Sequence, residues 1–354
     1  MTYGKVIVLL FAVAVLVSSV EAAPLQKLTV INAASRRTVC NDGTPAIYYF
    51  RKGFGAGSKT WIIFLEGGGF CDSVNDCNQR KVKSPDLMTS NGTPETLNED
   101  GILSGSAAEN PDFYNANHVV VSYCSSDLWS GNRKKSQQTG GHEFRGFKIV
   151  RAVINDLLKK PGRNLSSANR VLLSGTSAGG VGVMVHLDWL SRKLPSADVR
   201  GINDGGWTPD LTSLPSSYNP RRGKKALRLW NGKVDRSCAT ANEDFEYDCY
   251  TSAVYPHLSI PLFVQMSQYD KVYLSSMGVE QPFNGTELLL ANLFASKVRE
   301  SLTSVNAAFS PRTNTHALIH TDKFTELTVD GYTLSQILGN FFFDRPGQLK
   351  AIED

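Results

Sequence analysis

The sequence predicts an α/β fold, a mainly parallel sheet with helices on both faces. Three observations carry this expectation. Short β-rich runs alternate with longer segments of helical spacing, as a sheet covered by helices requires. The β-rich runs are almost continuously apolar, the pattern of strands buried on both sides. One of them passes through a glycine-framed serine straight into an apolar helical segment.

Taken in order, the chain opens with Lys5 and a short apolar run, residues 6–17, that gives way to small residues around Ala22 and Pro24. A basic start, a short apolar stretch and a small-residue site describe a secretory signal peptide cleaved near Ala22, since a membrane span needs roughly 20 apolar residues. Residues 1–22 are therefore expected to be a leader and 23–354 a single domain, secreted and without a membrane span. The clearest strands are 61–65, 118–123, 170–174 and 261–265, and the clearest helices are 147–158, which stops before Pro161-Gly162, and 288–302. Residues 78–114 and 207–228 are long stretches expected to be insertions around an active site.

Hydrophobic residues make up 41% of the chain and charged ones 20%, which excludes a disordered polymer. The net charge of +4 is too mild to point to nucleic acid. Basic clusters at Arg133, Lys134 and Lys135 and at Arg221, Arg222, Lys224 and Lys225 suit a solvated loop or contact with an anionic glycosaminoglycan. Six cysteines on an exported chain read as disulfides rather than zinc ligands, and no metal or cofactor is called for. Cys71 and Cys77 are close enough for a local staple, Cys238 and Cys249 flank an acidic loop, and Cys40 and Cys124 remain, although other pairings are open to six cysteines. Asn91, Asn164 and Asn284 head glycosylation sequons.

The strongest motif is Gly175-Thr-Ser177-Ala-Gly179 between a strand and a helix. This is the nucleophile elbow of the α/β-hydrolase fold. The turn is so tight that the residues two before and two after the serine must lack side chains, and the hydroxyl is pushed into the open. Backbone N–H groups at the helix start favour the oxyanion of acyl attack. A second motif, Gly67-Gly68-Gly69-Phe70-Cys71, follows the strand at 61–65. Its glycines let the backbone approach a substrate, so the N–H groups of Gly68, Gly69 and Ala178 are the candidate oxyanion donors.

The fold orders its triad as serine, acid, histidine. Of the six histidines, His118 and His142 precede Ser177 and His186 lies on the helix that leaves it. His257, His316 and His320 remain, and the last two follow every candidate acid. For the acid, Asp270 after the strand at 261–265 is preferred over Asp204, which sits in an Asp-Gly-Gly turn. The residues alone do not separate His316 from His320.

Several segments together are specific: Cys40-Asn-Asp-Gly-Thr-Pro-Ala46, Leu65-Glu-Gly-Gly-Gly-Phe-Cys71, Tyr123-Cys-Ser-Ser-Asp-Leu-Trp-Ser-Gly131 and Gly175-Thr-Ser-Ala-Gly-Gly180. They resemble the Notum and pectin acetylesterase family. The resemblance implies an α/β-hydrolase esterase with the triad Ser177, Asp270 and His316, and it supports the cysteine pairs named above. His320 then becomes a supporting residue and Asp204 a turn residue of the site.

Two branches of the family imply different substrates, and the animal branch is the better fit. The segment after Tyr123 is similar to animal Notum, which removes a palmitoleoyl group from Wnt proteins. The triple glycine is closer to plant relatives that remove acetyl groups from pectin. Gly69 stands where Notum carries a tryptophan, and Thr208, Tyr250 and Thr251 stand where it lines its lipid pocket with phenylalanines. With Phe70 and Val181, these residues form the expected acyl-binding set. They bear on which acyl group is accepted, whereas the triad acts on any ester.

Overall fold

The computed structural model describes residues 23–214, 221–243 and 245–354. The expected signal peptide, residues 1–22, lies outside the described residues. Among them, ten strands make one sheet: β1 (Leu25–Thr29), β2 (Ile47–Arg51), β3 (Thr60–Leu65), β4 (Thr96–Leu97), β5 (Asn117–Val121), β6 (Arg170–Thr176), β7 (Asp198–Asp204), β8 (Leu262–Gln265), β9 (Ala307–Ser310) and β10 (Lys350–Ile352). Their spatial order is β10-β9-β8-β7-β6-β3-β5-β2-β1-β4. Strands β5, β3, β6, β7, β8, β9 and β10 run parallel to one another, while β2, β1 and β4 extend the sheet beyond β5 by antiparallel pairing. This is the α/β-hydrolase architecture.

Alternation along the central strands fills two cores. Trp61, Ile63 and Leu65 of β3 belong to one and Ile62 and Phe64 to the other, because successive side chains leave a strand on opposite faces. Helices α1 (Val74–Lys83), α2 (Gly146–Lys159), α3 (Ala178–Lys193), α4 (Arg221–Trp230), α5 (Lys271–Ser276), α6 (Gly285–Ser301) and α7 (Leu334–Phe343) flank the sheet. Val183 and Leu187 of α3 and Phe294 of α6 pack into the first core, and Ile337, Leu338 and Phe342 of α7 into the second. Hence both faces are covered.

Cys40–Cys124, Cys71–Cys77 and Cys238–Cys249 are bonded. The first ties the segment before β2 to the end of β5, and the second ties the glycine loop to α1. Leu87, within 78–114, and Tyr123, after β5, pack against that loop: a Cβ added to Gly68 would lie 2.8 Å from Leu87 Cδ2 and 3.0 Å from Tyr123 Cδ1. Asn91, Asn164 and Asn284 are all exposed. Asn284 caps α6 through Oδ1, which accepts the N–H groups of Thr286 and Glu287 at 3.1 and 3.0 Å and leaves Nδ2 available for a glycan. Among the described residues no helix is long and apolar enough to cross a membrane.

Candidate active site

The site forms where parallel strands end and their loops converge. Ser177 joins β6 to α3 at φ 57° and ψ −118°, a conformation that a residue with a side chain rarely adopts. The crowding expected of the elbow is present. A Cβ at Gly175 would sit 2.4 Å from Gly179 O, and one at Gly179 would sit 1.9 Å from Leu65 O. The serine side chain, by contrast, is partly exposed at the start of the helix.

Asp270 is fully buried and occupies the N-cap of α5, several residues past the end of β8 rather than at the strand terminus itself. Its Oδ1 accepts the N–H groups of Val272 and Tyr273 at 2.8 and 3.3 Å, and its Oδ2 holds His316 Nδ1 at 2.6 Å. One oxygen therefore fixes the carboxylate and the other orients the imidazole. His316 Nε2 has no hydrogen-bond partner among the described residues. His316 and Ser177 line the same cavity, of about 270 Å³.

The other histidines are occupied elsewhere. His320 is half-tucked behind the nucleophile strand, with Nδ1 3.4 Å from Thr176 Oγ1 and its ring against Phe64. Burial lowers its pKa, and the nearby His316 adds to the effect. His186 is a core residue whose Nε2 meets Trp129 O at 2.8 Å, and burial pushes its pKa down to about 3. His118 is buried against Arg51, and His257 ends the turn Ser252–His257. Asp204 does not pair with a histidine. It accepts hydrogen bonds from Thr176, Leu318 and Ile319, and burial raises its pKa to about 6 against their influence.

Gly68 and Gly69 take φ values of 138° and 67°, open to glycine at no steric cost. Their carbonyls are anchored: Gly68 O accepts from Arg80 Nη2 at 2.5 Å and Gly69 O from Tyr123 Oη at 2.8 Å. Behind them Glu66 accepts Tyr123 N–H at 2.9 Å through Oε2, and burial pushes its carboxyl up to about 7. Trp129 Nε1 donates to Glu66 O at 3.0 Å. Of the three expected oxyanion donors, Gly68 is not among the residues that line the cavity. Gly69 and Ala178 line the cavity directly. Sequence reasoning missed Arg80 and Glu66 as supports of this loop. Tyr123 stood in a quoted motif, but nothing in its spacing links it to Gly69.

Phe70, Val181, Thr208, Tyr250 and Thr251 all line the cavity. Their hydroxyls are spoken for: Thr208 Oγ1 meets Tyr273 Oη at 2.9 Å, Tyr250 Oη donates to Ser130 Oγ at 2.9 Å, and Thr251 Oγ1 donates to Asp248 O at 2.7 Å. These three hydroxyls thus do not present unpaired polar groups to the cavity. Helix α4 adds Ala226 and Trp230 to the wall, and its Arg222 reaches Asp72 on the far side of the glycine loop at 2.6 Å while lying over the Phe70 ring. At Gly69 a Cβ would meet nothing closer than Arg80 Nη1 at 3.7 Å, so a larger residue there is limited by the positive φ more than by space. Among the described residues, no group of three or more His, Cys, Asp or Glu side chains is placed to hold a metal ion.

A model of the pectinacetylesterase family matches residues 19–353. The chain belongs to that family. Among curated members it is similar to palmitoleoyl-protein carboxylesterase NOTUM of Homo sapiens, 37% identical over 84% of this chain and 63% of the relative. It is similar to palmitoleoyl-protein carboxylesterase notum1' of Xenopus laevis at 34% identity, over 86% of this chain and 65% of the relative. To the Drosophila melanogaster NOTUM carboxylesterase it is 34% identical over 87% of this chain and 47% of the relative. This pectinacetylesterase-family chain therefore spans just under two thirds of the first two relatives and about half of the third.

Proposed function

We propose that the chain is an extracellular serine carboxylesterase that removes an O-acyl group, with Ser177 as nucleophile, His316 as base and Asp270 as its orienting carboxylate. The observation that carries this reading is the convergence of a strained, partly exposed serine and a carboxylate-held imidazole on one cavity. His316 Nε2 takes the proton of Ser177 Oγ as the oxygen attacks the ester carbonyl. The N–H groups of Gly68, Gly69 and Ala178 stabilise the tetrahedral oxyanion. The imidazolium then protonates the leaving alcohol, and water, deprotonated by the same nitrogen, releases the acid from Ser177. Export is supported by the basic-apolar leader and by three disulfides, which persist in oxidising compartments.

The similar proteins are named for palmitoleoyl-protein substrates, so an acylated extracellular protein of the Wnt kind is the first substrate class. An acetylated glycan is the second. Tyr250, pinned to Ser130, lines the cavity beside the serine. Hydrolysis of p-nitrophenyl esters from acetate to palmitate separates the two. A kcat/KM that rises towards the long esters is expected of the lipid substrate, whereas activity confined to acetate and butyrate would assign the chain to the acetylated glycan.

A glycosaminoglycan partner is also part of this proposal. Arg133 Nη2 donates to Arg228 O at 2.9 Å, which sets the first basic cluster beside the end of α4. There a groove collects Arg133, Arg151, Arg192, Arg228, Lys233 and Arg236 beside Asp235 and Glu246, whereas Arg222 of the second cluster pairs with Asp72. Retention on a heparin column beyond physiological salt is expected, and elution below it counts against the partner.

A further inference from the structure

Asp204 is a fully buried carboxylate that the proposed triad does not use. It closes β7 and touches the segments that carry all three reacting groups. Its backbone oxygen accepts the N–H of Ser177 at 2.7 Å. Its Oδ2 accepts the hydroxyl of Thr176, the residue before the nucleophile, at 2.9 Å. Leu318 N–H reaches both oxygens, at 3.1 and 3.2 Å, and Ile319 N–H reaches Oδ2 at 3.3 Å. These two amides follow His316 on its own loop. The next residue, Gly205, has φ +66° and passes so close that a Cβ there would lie 2.3 Å from His316 O and 3.4 Å from the imidazole Cε1. Gly205 N–H in turn donates at 3.0 Å to Gln265 O, at the end of the strand that leads to Asp270.

A buried carboxylate is costly unless its hydrogen bonds and a nearby positive charge compensate it. An apolar or amide side chain would fill the position at lower cost if the role were packing alone. The charged and titratable groups that face Asp204 are few. They are His316 across Gly205, with Asp270 on its Nδ1, and His320 at Thr176, which also feels Asp100. No Lys or Arg is among its partners in the described residues. The group whose positive charge it is placed to meet is thus the imidazolium that forms when His316 takes the serine proton.

Resting on the triad reading above, we propose that Asp204 is a positioning residue that locks the Ser177 elbow against the His316 loop and places a second negative charge beside the imidazolium. It acts through Thr176, Leu318 and Ile319, not by contact with the substrate. Asp204→Asn replaces one accepting oxygen by an NH2 that faces the donors and removes the charge. Thr176→Val keeps the shape and the carboxylate but deletes one donor to it, which makes Asp204 easier to protonate.

The test is kcat and KM for p-nitrophenyl acetate across the acid limb for both secreted variants, with the rate of Ser177 labelling by a fluorophosphonate. Asp204→Asn is expected to lower kcat by about 10²-fold, the scale of a small misplacement of reacting groups, with KM nearly unchanged and the acid limb of kcat/KM displaced to lower pH. Thr176→Val is expected to displace that limb the opposite way, to higher pH. A merely structural role predicts neither displacement, nor opposite signs. Wild-type kcat in folded Asp204→Asn, or loss of activity in both variants with the acid limb unmoved, overturns the proposal. If Asp204→Asn is not secreted, the Thr176→Val profile decides by itself: an upward displacement supports the proposal and none overturns it. Failure of the triad reading is distinguishable, because the wild-type protein would then not be labelled at Ser177.

Discussion

Ser177→Ala is expected to lower kcat for p-nitrophenyl acetate on the order of 10⁶-fold, the loss found when the nucleophile of a serine triad is removed. The substitution deletes the attacking oxygen and nothing that holds the fold. The elbow's backbone bonds, Ser177 N–H to Asp204 O at 2.7 Å and Val181 N–H to Ser177 O at 3.2 Å, do not involve the side chain. Secretion and thermal midpoint should therefore match the wild type. Ser177→Gly should be as inactive but more stable than Ser177→Ala by about 1 kcal/mol, because glycine tolerates φ 57° and alanine does not. Hydrolysis by folded Ser177→Ala within tenfold of wild type would remove the serine from the mechanism altogether.

The second large effect separates two tasks of one side chain. Asp270 orients His316 through Oδ2 and caps α5 through Oδ1. Asparagine is a good N-cap, so Asp270→Asn should melt close to the wild type. It should nevertheless lose about 10⁴-fold in kcat, because the amide holds the wrong tautomer of the imidazole and cannot stabilise its cation. Asp270→Ala should lose similar activity and, in addition, about 1 kcal/mol of stability with the cap. Kinetics and thermal melts on the two variants read the tasks independently. An Asn variant that retains a tenth of wild-type kcat would assign the orienting role to another carboxylate, with Asp204 as the candidate.

The chemistry was legible in the sequence because it rests on local geometry. A strand, a serine between two obligatory glycines and a helix describe a turn whose sterics need no distant residue, and the glycine loop after 61–65 is legible for the same reason. Long apolar strands such as β3, β5 and β6 were equally plain. Strand β7 was not, since Asp-Val-Arg-Gly-Ile-Asn-Asp has neither an apolar run nor a clean alternation and is a strand only because β6 and β8 pair with it on both sides. The short strands β1, β4 and β10 likewise owe their conformation to pairing, β1 between β2 and β4, and β4 and β10 at the two edges with one partner each.

What the amino-acid sequence determined by itself is the fold class and the elbow that exposes Ser177. Choosing among acids and histidines needed more: from residues alone His316 and His320 were equal, and only resemblance favoured the first. The tertiary structure brings Asp270 to His316 Nδ1 at 2.6 Å and places His320 behind Thr176 instead. It also reveals Asp204 as the link between the Ser177 elbow and the His316 loop, and brings Tyr250 into the wall of the cavity beside the serine. Backbone sterics act over a few residues and can be read from neighbours. Side-chain partnership across more than a hundred residues, as between Asp204 and Leu318, is set by the packing of strands and loops, which no local pattern encodes.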